Sequence, residues 1–74
     1  MKLFVSGFFQ LTKVSEVADL FEDCGQVNWV RLKKGEKRAY AVVEMPDFDA
    51  QRAIQELDGT EWKGRRLEVT ESRW

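Results

Sequence analysis

The sequence predicts an α+β domain in which a four-stranded antiparallel sheet carries two helices on one face, in the chain order βαββαβ. Three observations predict it. Four segments alternate inward and outward residues with a period of two, and two segments between them repeat apolar residues at three and four. Only one connection between consecutive strands is short enough to be a hairpin. At 74 residues the chain is expected to form one domain, 1–74, with a single core and little surplus burial.

Residues 2–6 form the first strand, with Leu3 and Val5 on one face and Phe4 on the other. From Thr12 to Cys24 the apolar spacing changes to three and four through Val14, Val17, Ala18, Leu20 and Phe21, with acids between. That is an amphipathic helix with Thr12 as N-cap and Gly25 as its stop. Residues 27–33 make a second strand, in which Val30 and Leu32 oppose Trp29 and Arg31; Val27 breaks the parity and belongs to the bend entering it. Lys34-Gly35-Glu36 is a tight turn leading into residues 38–45. There Ala39, Ala41, Val43 and Met45 share one face, and Arg38, Tyr40, Val42 and Glu44 the other. Two hairpin registers keep this parity. One sets Trp29 opposite Val42 and Arg31 opposite Tyr40; the other sets Trp29 opposite Tyr40. Gly35 as the first residue of a type II′ turn favours the former.

Pro46 ends the third strand, and Asp47 caps a second helix whose inner side holds Ala50, Ala53, Ile54 and Leu57. Asp58-Gly59 closes it. A loop with Trp62 and Gly64 leads to a fourth strand, residues 65–70, with Leu67 and Val69 inward. The order is the ferredoxin-like, split-βαβ arrangement, and right-handed crossovers put both helices on the face of Leu3, Val5, Val43 and Val69. The other face, bearing Phe4, Trp29, Tyr40 and Val42, stays open. Large apolar side chains on an uncovered face mark a binding surface.

Composition narrows the class of function. The chain has no His and one Cys, so an imidazole base, a thiolate metal cluster and an internal disulfide are all excluded. No phosphate loop or nucleophile elbow occurs, and no pair of carboxylates stands out, so neither an enzyme nor a cofactor is expected. The longest apolar run, Tyr40 to Val43, is too short to span a membrane. Met1 runs almost directly into the first strand, so no signal or transit peptide is expected. With its lone cysteine, the protein is expected to be cytoplasmic and monomeric.

Two stretches resemble the paired signatures of the RNA-recognition-motif family. Leu3-Phe4-Val5-Ser6-Gly7-Phe8 looks like its six-residue element, and Arg38-Ala39-Tyr40-Ala41-Val42-Val43-Glu44-Met45 like its eight-residue one. Val17, Leu20, Phe21 and Gly25 match its first helix. The stretch from Leu57-Asp58-Gly59 to Leu67-Glu68-Val69, with its Glu61-Trp62 pair, is similar to the ending of the short single-domain RNA-binding proteins of bacteria. The resemblance implies that Phe4 and Tyr40 stack on bases of single-stranded RNA. It also implies that Phe8 and Trp62 pack in the core. Two positions depart from the pattern: Ala39 replaces a glycine, and Val42 replaces the third stacking aromatic.

Charge distribution supports a nucleic-acid partner although the net charge is −1 and the pI near 5.4. The first helix sets Lys13 against Glu16, Asp19, Glu22 and Asp23, and the second sets Arg52 against Asp47, Asp49, Glu56 and Asp58. The remainder is therefore basic, and the hairpin concentrates Arg31, Lys33, Lys34, Lys37 and Arg38 against Glu36. Parity puts Arg31 and Arg38 on the aromatic face, where Lys2 and Arg66 are further phosphate contacts. Trp29 is expected to substitute for the aromatic absent at Val42, with Arg31 over its indole. The competing reading is a protein partner on the same face. Glu44 and Glu68 also share that face, Phe9 is unassigned, and Trp74 lies beyond the last strand.

Overall fold

The computed structural model describes residues 1–72, so Trp74 lies outside the described residues. Four strands, β1 (Lys2–Ser6), β2 (Trp29–Lys34), β3 (Ala39–Glu44) and β6 (Glu68–Ser72), form one antiparallel sheet in the order β2-β3-β1-β6. Helices α1 (Val14–Glu22) and α2 (Asp47–Leu57) pack on one side of it. A two-residue pair, β4 (Glu61–Trp62) and β5 (Arg65–Arg66), forms a small separate hairpin. The core is built on the inward residues of β1, β3 and β6: Leu3, Val5, Ala41, Val43 and Val69 are buried, with Leu67 just before β6, and Val17, Phe21, Ala50 and Ala53 close it from above, while Val30 and Leu32 of β2 pack at its margin partly buried. Phe8 belongs to it, as expected.

Both helix starts differ from expectation. Thr12 does not cap α1: its backbone N–H donates to the Phe9 carbonyl at 2.9 Å in a preceding turn, and its side chain is buried. The cap position falls to Lys13, whose N–H donates to the Glu16 carboxylate at 2.9 Å, the one half of a capping box available there. The buried stripe is then the i,i+4 pair Val17 and Phe21, while Val14 in the first turn stays 46% exposed. At α2 the cap position is Pro46, and Asp47 lies inside the first turn. Its carboxylate sits 3.2 Å from the Met1 amine and complements the helix dipole without capping.

Gly25 serves a different neighbour from the helix it follows. A Cβ there would lie 2.5 Å from Cγ of Asp49, whose carboxylate accepts the Gln26 N–H at 3.0 Å. That bond ties the entry of β2 to α2.

The β2–β3 register matches neither expected alternative. Trp29 pairs with Glu44, Arg31 with Val42 and Lys33 with Tyr40, and the connection is the four residues Gly35–Arg38. A type II′ turn needs positive φ at Gly35, and Gly35 is not among the positive-φ glycines. Instead its N–H donates to the Arg38 carbonyl at 2.7 Å, which widens the turn and shifts every pair by one step of the alternation.

The fourth sheet strand begins three residues later than expected. Lys63 and Gly64 both have positive φ, 51° and 80°, as a type I′ turn requires, and Arg65 and Arg66 pair back onto Trp62 and Glu61. Leu67 exchanges bonds with the same side, donating to Thr60 at 2.8 Å and accepting from Gly59 at 2.9 Å. Only from Glu68 is the backbone released to pair with β1. Trp62 packs against the core while remaining partly exposed, with the Lys63 ammonium 5.1 Å from its ring centre.

Candidate nucleic-acid interface

The uncovered face of the sheet is built from three rows of cross-strand neighbours. Reading from β2 to β6, they are Trp29–Glu44–Lys2–Ser72, Arg31–Val42–Phe4–Thr70 and Lys33–Tyr40–Ser6–Glu68. Alternation alone decides this membership, because each residue's neighbours along its strand point to the opposite, helix-bearing side of the sheet.

Phe4 and Tyr40 lie diagonally across the central pair of strands with ring centroids 5.2 Å apart and planes 28° from parallel. Both are half-buried. They share a groove of about 300 Å³ with Val42, Trp29, Arg31 and Lys2. At its far end the indole of Trp29 has the Arg31 guanidinium 5.3 Å from its centre and the Lys2 ammonium at 6.0 Å. Such contacts hold flexible cations against a rigid ring, so charge is fixed beside the apolar floor. Glu44, which shares this row, has its carboxylate 3.7 Å from the Met1 amine, so part of its charge is answered locally.

Six of the eight expected site residues therefore come together: Lys2, Phe4, Trp29, Arg31, Tyr40 and Val42. Arg38 and Arg66 do not join them. Arg38 lies past the end of the ladder, and Arg66 is held in the β4–β5 hairpin rather than on the sheet. Both border a second depression, of about 390 Å³, at the end of the sheet where β1 stops and β3 and β6 begin. Lys33 lines the groove without being among the expected site residues, although it shares the outward parity of Trp29 and Arg31. Phe9 and Arg65 also lie in the second depression, with the guanidinium 5.2 Å from the ring centre. No period could have joined these two residues.

Among the described residues no three potential ligands gather as a metal site, and no helix is long and apolar enough to cross a membrane. Cys24 is buried, and burial followed by a hydrogen bond with Glu56 pushes its thiol up to about 11, so it stays protonated near neutrality. What the site offers is two stacked rings, a third at the margin, and cations around them.

Known proteins are similar to this chain in sequence and in fold. The protein of Nostoc sp. named "Putative RNA-binding protein RbpD" is 37% identical over 79 residues, covering 99% of this chain and 83% of its own length. A Caenorhabditis elegans protein, "Probable splicing factor, arginine/serine-rich 3", is 36% identical over 73 residues, and the chain spans only 28% of it. Among solved structures, a Sex-lethal protein–RNA complex superposes with a TM-score of 0.86 at 30% identity, over 97% of this chain and 46% of that one. The family model described as the RNA recognition motif matches residues 3–68, from the first core residue of β1 to the exposed residue that opens β6. With this match and its open aromatic sheet, the chain belongs to the RNA recognition motif family.

Proposed function

We infer that the chain binds single-stranded RNA in the groove on the open sheet face. The observation that carries this reading is the Phe4–Tyr40 pair, two aromatic rings 5.2 Å apart on a face that no helix covers. Unpaired bases expose π-faces, and a base stacked on an aromatic ring contributes about 1–3 kcal/mol whatever its identity. Phe4 and Tyr40 take two adjacent bases, and Trp29 offers a platform one strand further out. The observed register changes how Trp29 works. Arg31, not Trp29, lies beside Val42, where the family's third aromatic would stand. The margin is therefore an Arg31–Trp29 couple that can hold a base against the indole and a phosphate against the guanidinium. Lys2 and Lys33 supply further phosphate contacts at the two ends of the groove.

Titration of isotope-labelled protein with a mixed-sequence single-stranded RNA oligomer tests this. Chemical shifts should move at Phe4, Tyr40 and Trp29 and leave the helix faces still. A duplex should bind more weakly, because a flat stacking surface needs unstacked bases. Unmoved sheet signals would remove RNA from the groove and leave it to a protein partner.

A further inference from the structure

We propose that the corner of the groove formed by Trp29 and Glu44 selects guanine. The proposal rests on the RNA-binding reading of the groove and adds a base identity to it. Trp29 and Glu44 are direct cross-strand partners, so their side chains rise side by side from the sheet. Trp29 is 38% exposed, and the Glu44 side chain 27%. Glu44 stands between Trp29 and Lys2 in its row, and both of those line the groove. The Met1 amine lies 3.7 Å from one Glu44 oxygen, close enough to balance charge and too far to occupy an acceptor with a hydrogen bond. Arg31, two residues along β2, holds its guanidinium 5.3 Å from the indole centre. A pair of acceptors thus lies across the strand from the ring, and a fork of donors lies along it.

Guanine is the base whose edges match that layout. A carboxylate offers two acceptor oxygens and no donor. Guanine presents two adjacent donors to it, N1–H and the N2 amino group, on its Watson–Crick edge. Adenine and cytosine present one amino donor beside a ring nitrogen whose lone pair would face the second oxygen. Uracil sets a carbonyl on each side of its lone N–H and meets repulsion twice. On the adjoining edge guanine carries O6 and N7, both acceptors, which suit a guanidinium or an ammonium. A polar group left facing the wrong partner in a desolvated contact costs more than a missing bond, so the mismatched bases are rejected as well as unaided. The corner is also held still. The Asn28 N–H donates to the Glu44 carbonyl at 2.8 Å, and the Asn28 side chain accepts from Gln26 Nε2 at 2.9 Å. Gln26 in turn donates its backbone N–H to Asp49 at 3.0 Å, bracing the entry of β2 against α2. Platform and carboxylate therefore keep one relative position, which selection between bases needs more than affinity does.

Single-stranded RNAs of about seven nucleotides test this by NMR titration: all uridine, and uridine with one central guanosine, inosine, adenosine or cytidine. A short strand slides until its best base lies on Trp29, so one substitution suffices. The parent should bind the guanosine oligomer about tenfold more tightly than all-uridine. Inosine keeps N1–H and lacks the amino group, and its oligomer should fall between the two. Glu44→Gln replaces one acceptor with a donor, and should bring the guanosine-to-uridine ratio down to about twofold while keeping the dispersion of the parent spectrum. A parent that binds guanosine no better than uridine, adenosine or cytidine overturns the proposal without recourse to any variant. Inosine equal to guanosine overturns it too, because the amino group is then not read. So does an unchanged ratio in Glu44→Gln, even where that variant binds every oligomer more tightly, since a repulsive charge and not a reader has then been removed. If Phe4 and Tyr40 signals move with every oligomer and guanosine brings no advantage, the groove stands and the corner falls. If no oligomer moves them, the groove reading fails first and the corner falls with it.

Discussion

The groove on the sheet and the depression at its end are of similar size and opposite construction. Residues of three strands make most of the groove's floor, each placed by ladder hydrogen bonds and by the alternation that sends its neighbours into the core. The depression is made mostly by connections, placed by Gln10 bonded to the Gly35 carbonyl, by Arg65 over the Phe9 ring and by Gly7 on the floor. The difference teaches what each construction can hold. Stacking needs flat, rigid platforms at fixed spacing, which strands supply and connections do not.

The largest effect that would break this comparison comes from the platforms. Phe4→Ala or Tyr40→Ala should each weaken binding of single-stranded RNA by about 1–3 kcal/mol. The double variant should lose less than both together, because the two rings touch and so share one another's effect. Titration gives the affinities, and circular dichroism should show an unchanged fold. If both single variants bind like the parent, the face is not where bases sit.

A second test attacks the end of the sheet through its backbone. Gly7→Ala forces a side chain into positive φ and against the Arg66 carbonyl, and should cost about 1–3 kcal/mol of stability, read from urea unfolding. A parent-like midpoint would mean that this floor is far softer than its geometry indicates.

The finest test sharpens the boundary of the groove. Trp29→Ala should lose about 1 kcal/mol of RNA affinity, and adding Val42→Phe to it should recover part of that loss, since Val42 lies beside Phe4 in the same row. Unchanged affinity in Trp29→Ala reduces the groove to two platforms.

The sequence carries the faces of the strands but not their offset. Every inward and outward assignment in the sheet follows from the two-residue period, which is why Phe4, Tyr40, Val42, Trp29 and Arg31 can be grouped from sequence alone. The same period is blind to register, because a slip of two residues changes partners and keeps faces. Both expected hairpin registers and the observed one obey it. Turn chemistry is the remaining guide, and it misleads because Gly35 is used without positive φ. Thr12 and Asp47 look like caps on residue type alone, while a turn at Phe9 and the position of Pro46 decide the starts. Arg66 departs from its expected place for a related reason. A type I′ turn at Lys63-Gly64 competes for the backbone of 65–67, and a chain read element by element does not show that competition. The second depression is illegible throughout, since its members are brought together only by tertiary closure.

The outward order β2-β3-β1-β6 leaves β2 with one flank unpaired among the described residues, and its exposed Arg31, Lys33 and Lys34 lie along that flank. An open strand is a template on which another copy can add, and a row of like charges is what prevents it. Arg31 and Lys33, proposed above as RNA contacts, thus also act as gatekeepers against aggregation. Neutralising them removes two properties at once: a variant stripped of charge on β2 holds phosphate less well and gains a bare edge. RNA bound across Arg31 and Lys33 cancels that charge only where it also covers the strand, so solubility and recognition are coupled through one edge of the sheet.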